Sequence, residues 1–425
     1  MSTAMKAGSR SWLTLFTVAW LVIWMVQLTP LQLLLPLQLD QENSQGGDEW
    51  IHTVVISGLI LGAGGLAGVI AGPLAGAWSD RTDSSRLPAW LGGRRRVWSL
   101  IGTWLMAVFL VLVGVTHSTW VIGAAWIGVC IGVGVASASF TALIADQLPD
   151  DQRGAASAAV GASQALGIVV GVGAIGSLNL DPWAGYLILA VLIAVVGTWA
   201  TLVLPDPPVD VTAARATLDP TRGRWESFRD KDFSWMLAGR FVANVGNALG
   251  TSLFLFFLLY GLNQDKDTAE GNLILLVVVY TVFVVIASII AGSLADRGWD
   301  RRGLTIVSAL VQSLSGLIIV ISPTFTATMI GAAFMGVGYG AFSTVGLAYA
   351  TDLLPHEDDH GRDLGIVNTT AALGQLVGPV LGAGLVSLVG GFWLVFFMGF
   401  VLSIVGGLMT LGARKVPAVT RISST

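Results

Sequence analysis

Gly72-Pro73-Leu74-Ala75-Gly76-Ala77-Trp78-Ser79-Asp80-Arg81, answered by Gly93-Arg94-Arg95-Arg96, is the stretch that decides how this chain is read. A glycine-rich apolar run ends there in an acid–base pair, and a basic cluster opens the next apolar run. A relative stands in the second half, Gly292-Ser293-Leu294-Ala295-Asp296-Arg297, followed by Arg301-Arg302. Charge packed into short breaks between long apolar segments marks the water boundary of a membrane protein.

Outward from that stretch, 54% of the 425 residues are hydrophobic and only 11% are charged. A soluble domain carries about 25% charged residues, so the class is an all-α polytopic membrane protein. Helices of about 20 apolar residues span the hydrocarbon. Twelve such segments are predicted, near 12–39, 50–78, 97–116, 119–145, 154–178, 183–204, 233–262, 271–295, 303–322, 325–351, 362–390 and 391–413. The first run is too long for a cleaved signal and reads as a membrane helix. The break between helices 6 and 7 is rich in proline and charge. It divides the chain into a six-helix half (1–204), a linker (205–234) and a second six-helix half (235–425).

Of the 22 Lys and Arg residues, 20 fall at the termini and the even-to-odd links. Positively charged loops stay in the cytoplasm, which puts both termini there and predicts a plasma (inner) membrane protein. The single cysteine, Cys130, excludes an internal disulfide and a thiolate metal cluster. The formal charge of −4 predicts no nucleic-acid partner. No metal and no cofactor are expected, and the chain is expected to be a monomer in the lipid bilayer.

The halves repeat. Ile122–Gly132 matches Ile330–Gly340 at seven of eleven positions with an offset of 208. Asp146-Gln147-Leu148-Pro149 returns as Asp352-Leu353-Leu354-Pro355 at an offset of 206, and the Asp-Arg pairs stand 216 apart. Similar offsets in several elements mean a parallel duplication, one known transporter plan.

Gly76-x-x-x-Asp80-Arg81 with Gly93-Arg94-Arg95-Arg96 resembles the loop 2–3 signature of the major facilitator superfamily, and the 6+6 layout is similar as well. About ten extra residues separate Arg81 from Gly93. That spread form is closer to the sucrose-type and glycoside–pentoside–hexuronide branches. Asp146-x-x-Pro149-x-x-x-Arg153-Gly154 is similar to an element of sugar porters in the same superfamily. The resemblance implies a permease working by alternating access, with helices 1, 4, 7 and 10 lining a central cavity. It also implies a cytoplasmic gate made of Asp80, Arg81, Arg94, Arg95, Asp146, Arg153, Asp296, Arg297, Asp352 and Arg362.

Polar residues inside apolar helices are expensive and should face protein or water. Trp20, Trp24 and Gln27 share one face of helix 1; Arg240, Asn244, Asn247 and Thr251 share one face of helix 7. Counting inward from the outer helix ends sets Trp24 opposite Asn247. Trp126, Tyr339 and Ser343 extend the candidate substrate set to helices 4 and 10. No carboxylate falls mid-helix, which weakens a reading as an exporter of cationic drugs. The stripe of amides, hydroxyls and indoles suits a small, neutral, sugar-like solute. Export of lipophilic or anionic compounds, with Arg240 as the anion contact, is the alternative.

Glycines at four-residue spacing, Gly64 to Gly76 and Gly374 to Gly382, are read as close helix packing. His356-Glu357-Asp358-Asp359-His360 fits the zinc-peptidase pentad. It follows a proline, precedes a glycine and has no third ligand nearby, so it is read as coincidence and the chain as no enzyme.

Overall fold

The computed structural model describes residues 8–43, 49–83, 88, 91–178, 180–207, 230–353 and 360–413. Among the described residues there is no strand, and twelve helices are long and apolar enough to cross a membrane. They are α1 (Arg10–Glu42), α2 (Glu49–Arg81), α3 (Arg94–Val115), α4 (Thr119–Gln147), α5 (Asp150–Ser177) and α6 (Pro182–Val203). The second set is α7 (Lys231–Gly261), α8 (Lys266–Asp296), α9 (Arg301–Ile321), α10 (Phe325–Asp352), α11 (His360–Val389) and α12 (Trp393–Met409). The chain is an integral membrane protein. Side chains such as Val108, Ile289, Ile321 and Leu388 are 58%, 68%, 74% and 76% exposed. Apolar faces that open suit lipid, not water.

Several helices run past their predicted ends, because the charged signature residues are themselves helical. Asp80 and Arg81 form the last turn of α2, and Arg94, Arg95 and Arg96 form the first turn of α3. Arg153 lies on α5. Membrane composition marks where lipid stops; backbone hydrogen bonding carries the helix on into water.

The chain folds as two compact units, Met1–Asp219 and Pro220–Thr425. In the first, α4 packs against α2 and α3, α1 against α5 and α6, and α3 against α6. In the second, α10 packs against α8 and α9, α7 against α11 and α12, and α9 against α12. The same pairs recur in the same order, as a parallel duplication requires.

Small residues set the closest approaches. At the α3–α4 crossing, a Cβ on Gly102 would sit 2.5 Å from the Ala136 nitrogen, and one on Gly132 would sit 2.8 Å from the Met106 nitrogen. The glycine stripe of α2 divides in two. Gly68 lies against the Cys130 carbonyl, where a Cβ would come within 2.9 Å, whereas a Cβ on Gly76 would meet nothing within 4 Å. Packing accounts for Gly68 and leaves Gly76 unexplained. At the end away from the arginines, Gln38 Nε2 donates to the Val113 and Thr116 carbonyls at 2.8 and 3.1 Å. That amide ties α1 to the end of α3.

Candidate functional site

Three arginines in the first turn of α3 stand where the helix dipole disfavours cations. Three carboxylates from elsewhere in the same unit offset them. Arg95 Nε reaches Asp146 Oδ2 at 2.7 Å, and its Nη2 reaches Asp80 Oδ1 at 2.7 Å. Its Nη1 donates to Ser79 Oγ at 3.0 Å. The buried Arg95 fork therefore joins the ends of α2 and α4. Arg94 stands farther off, 3.9 Å from Asp80 and 3.8 Å from Asp146, and donates to the Asp80 carbonyl at 3.2 Å. Arg153 donates to the Leu148 and Ala145 carbonyls at 3.0 and 3.1 Å, which caps the end of α4. Arg81 is exposed.

The third carboxylate, Asp206, has no counterpart in the sequence reading, which puts it in the linker. Its Oδ2 accepts from the Arg96 backbone N–H at 2.7 Å, so it supplies the anion that the start of α3 lacks. The Arg96 side chain donates to the Thr201 and Leu204 carbonyls at 3.1 and 3.0 Å and closes the end of α6. Gly93 makes this possible, because a Cβ there would run into the Asp206 carboxyl. Burial pushes the Asp206 carboxyl above its usual range, against the pull of the Arg96 N–H and the nearby arginines. Gln147 extends the seam: its amide donates to the Pro205 carbonyl, and Trp12 Nε1 donates to it at 2.9 Å.

The second unit repeats the plan with different residues. Arg301 Nη1 meets both Asp352 oxygens, at 2.7 and 2.9 Å. Arg302 donates to the Thr410 and Leu411 carbonyls at the end of α12, as Arg96 does at the end of α6. Asp300 caps α9 from its own N-terminus, accepting from the Arg302 and Gly303 N–H groups at 3.2 and 2.9 Å. Asp296 and Arg297 are exposed, and the structure shows no ion pair to either among the described residues. Arg301, not Arg297, is thus the partner of Asp352. Arg362 lies on α11, with its side chain outside the described set, as are His356, Glu357, Asp358 and Asp359. Among the described residues no group of three His, Cys, Asp or Glu side chains is placed to hold a metal.

Deep in the second unit lies a polar cluster. Arg240, Asn244 and Asn247 on α7 are buried. Asn244 Nδ2 donates to the Arg240 carbonyl at 2.7 Å, and Thr251 Oγ1 to the Asn247 carbonyl at 3.2 Å. Ser343 Oγ donates to the Gly340 carbonyl at 3.1 Å. These three groups are thus engaged with their own helices. Tyr280 Oη donates to Asn247 Oδ1 at 3.4 Å, and Gln375 Nε2 donates to Tyr339 Oη at 3.2 Å. The Tyr280 and Tyr339 rings stack at 6.3 Å. Tyr280 (α8) and Gln375 (α11) escape the sequence reading; an isolated tyrosine in so apolar a helix was the available signal.

In the first unit Trp20 and Trp126 are buried and Trp24 is half-buried. The Trp20 and Trp24 rings lie 6.0 Å apart, and among the described residues the indole nitrogens of all three have no hydrogen-bond partner. Gln27 is half-buried. Packing also corrects the helix register. Gly167 on α5 sits against the Trp24 Cβ and the Leu21 carbonyl; Gly374 on α11 sits against the Asn244 Cβ and the Phe241 carbonyl. Trp24 therefore corresponds to Asn244, about one turn from Asn247. The sequence count began at the outer helix ends, and these lie at different distances from the packed glycines.

Comparison with known proteins agrees with this architecture. The profile described as Major Facilitator Superfamily matches residues 57–266 and again 240–424. Among curated relatives, the transcription regulatory protein OpdE of Pseudomonas aeruginosa is 32% identical over 34% of this chain and 35% of that protein. The bacillibactin exporter of Bacillus subtilis is 27% identical over 33% of this chain and 36% of that protein. The chain spans about a third of the length of the curated relatives it matches. Among solved structures, a mutant of the nucleoside transporter NupG superposes with a TM-score of 0.74 at 12% identity, covering 95% of this chain and 99% of that one. A D-xylose-proton symporter gives 0.68 at 15% identity, covering 94% and 96%. At such identities the likeness is one of fold.

Proposed function

The chain belongs to the Major Facilitator Superfamily, and on that premise we propose that it carries a small polar solute across the membrane by alternating access. The observation that carries this reading is the cluster of buried Arg240 and Asn247 with half-buried Tyr280, Tyr339 and Gln375 within apolar helices. Polar side chains at such depth are costly and are kept for substrate pathways or helix contacts. Asn247 and Tyr339 keep hydrogen-bonding capacity beyond their bonds to Tyr280 and Gln375, which a purely structural clamp does not require.

The charged ends then have a role in the cycle. The Asp80–Arg95–Asp146 and Arg301–Asp352 groups hold the ends of neighbouring helices in each unit. We assign them to the cytoplasmic gate, with both termini cytoplasmic and the segment around 205–234 joining the halves. Export is a second reading, favoured by the bacillibactin exporter among the relatives.

The test is counterflow in proteoliposomes with a panel of radiolabelled sugars, nucleosides and organic acids. One class should exchange, and Asn247→Ala and Tyr339→Phe should each slow that exchange at least tenfold while eluting as folded protein. Unchanged exchange in both variants would remove the cluster from the solute path. Orienting the protein both ways in vesicles separates uptake from export.

A further inference from the structure

On the reading of this cluster as the solute site, we infer that the solute is an organic anion, recognised by Arg240. A guanidinium stays charged at any working pH and has five N–H donors and no acceptor. Arg240 is 7% exposed, and no carboxylate lies within ion-pair distance of it among the described residues. Among the described residues its one hydrogen bond is long, 3.5 Å from Nη1 to the Ser343 carbonyl, and its Nε has no partner there. The other buried arginine among the described residues is better compensated: Arg95 has two carboxylates and Ser79. Burying a lone cation is expensive unless something pairs with it. Gly346 lets the guanidinium lie close against α10, since a Cβ there would stand 3.1 Å from Nη1.

The groups around Arg240 also keep donors unused. Gln375 donates to the Tyr339 oxygen, which leaves the Tyr339 hydroxyl proton free to donate onward. Tyr280 donates to Asn247 Oδ1, and Asn247 Nδ2 is buried without a partner. Asn244, Thr251 and Ser343 direct their protons to carbonyls of their own helices. The unused donors are Arg240 Nε, Asn247 Nδ2 and the Tyr339 hydroxyl, and the Asn244 and Gln375 amide oxygens remain as neutral acceptors beside them. A neutral sugar could use these donors and acceptors but would leave the charge of Arg240 unpaired. A carboxylate or phosphate group accepts only and carries the charge Arg240 lacks. Charge-assisted bonds of this kind are about twice as strong as neutral ones.

The experiment is thermal unfolding of the purified protein with matched probes at equal ionic strength: gluconate against glucose, benzoate against benzyl alcohol, and inorganic phosphate. The proteins are the unaltered chain, Arg240→Gln, Arg240→Lys and Asn247→Ala. At least one anion should raise the transition by several degrees while its neutral counterpart does not. Arg240→Gln should weaken that effect at least tenfold in apparent affinity, and Arg240→Lys should retain part of it. Without ligand, Arg240→Gln should melt no lower than the unaltered protein, because it removes an uncompensated buried charge. A marked fall would mean that Arg240 is a structural group and would overturn the inference. So would stabilisation by glucose or benzyl alcohol that survives Arg240→Gln, or no shift with any of the three anions. If a neutral probe acts and Asn247→Ala abolishes its effect, the solute site stands and only the anion is lost. If exchange in vesicles also ignores Asn247 and Tyr339, the site itself falls.

Discussion

Replacing Asp146 by asparagine should destabilise the first unit more than replacing Asp80, although both carboxylates lie 2.7 Å from the same guanidinium. Distance does not separate them; solvent does. The Arg95 side chain is 6% exposed, that of Asp146 is 35% exposed and that of Asp80 is 58% exposed. An exposed pair contributes about 0–1 kcal/mol, because water screens it and the free partner is well hydrated. A hydrogen bond to a charged group in a more sheltered place contributes about 1.5–3 kcal/mol. Asp146 lies between these limits, so Asp146→Asn should cost about 1–2 kcal/mol and Asp80→Asn under about 1 kcal/mol. For a unit of this size 1 kcal/mol shifts the melting temperature by roughly 2–4 °C. Melting in detergent would therefore drop by about 2–8 °C for Asp146→Asn and by less than about 4 °C for Asp80→Asn. Arg95→Gln completes the cycle. Its combination with Asp146→Asn should cost less than the sum of the two, with a coupling of about 1 kcal/mol or more. If Asp80→Asn proved the more damaging, or the pair added within about 0.3–0.5 kcal/mol, exposure would not be what ranks these carboxylates.

Other expectations follow from the same geometry. Gly93→Ala should displace the Asp206 carboxylate from the start of α3 and cost about 1–2 kcal/mol, the size of a lost N-terminal cap, read as a lower melting temperature. Burial raises the Asp206 carboxyl above its ordinary value of 3.8, so its stability contribution is fully present below the unfolded-state value and is lost as pH rises through the folded one. The gap in melting temperature between Asp206→Asn and the unaltered protein should accordingly move in favour of the variant from about pH 4 towards neutrality; a gap that is flat or moves the other way refutes this. Arg301→Gln should lower stability by about 1–3 kcal/mol, since Asp352 depends on it for both oxygens, whereas Arg297→Gln should change stability by under about 0.5 kcal/mol. Gly132→Leu should cost about 1–3 kcal/mol or prevent folded expression by forcing α3 from α4. Gly76→Ala has free space and should be neutral or stabilising by about 0.5–1 kcal/mol, which makes it a clean probe of any purely functional role in the signature.

Length and composition carried the helices and the duplication, because a bilayer imposes both on the sequence directly. The partners at the charged ends were less legible, and the reason is arithmetic. Anchoring the halves on their Asp-Arg pairs uses an offset of 216 and leads to Arg297. The offset of 206 that relates Asp146 to Asp352 also relates Arg95 to Arg301, and that is the pair the fold forms. The difference of ten residues is the longer break between Asp80 and Arg95, which lets the α2 end reach Arg95 and leaves Asp296 aside. Asp206 was hidden because its bond to Arg96 closes a sequence gap of 110 residues inside what composition marks as linker. At the polar cluster the difficulty is of another kind. Asn244, Thr251 and Ser343 look in sequence like groups waiting for a sugar, yet each commits a proton to its own helix. Residue type gives the hydrogen-bonding capacity of a site, and only coordinates give the capacity that remains. The remainder here includes one uncompensated cation, which moves the inferred cargo from neutral to anionic without adding a residue to α7.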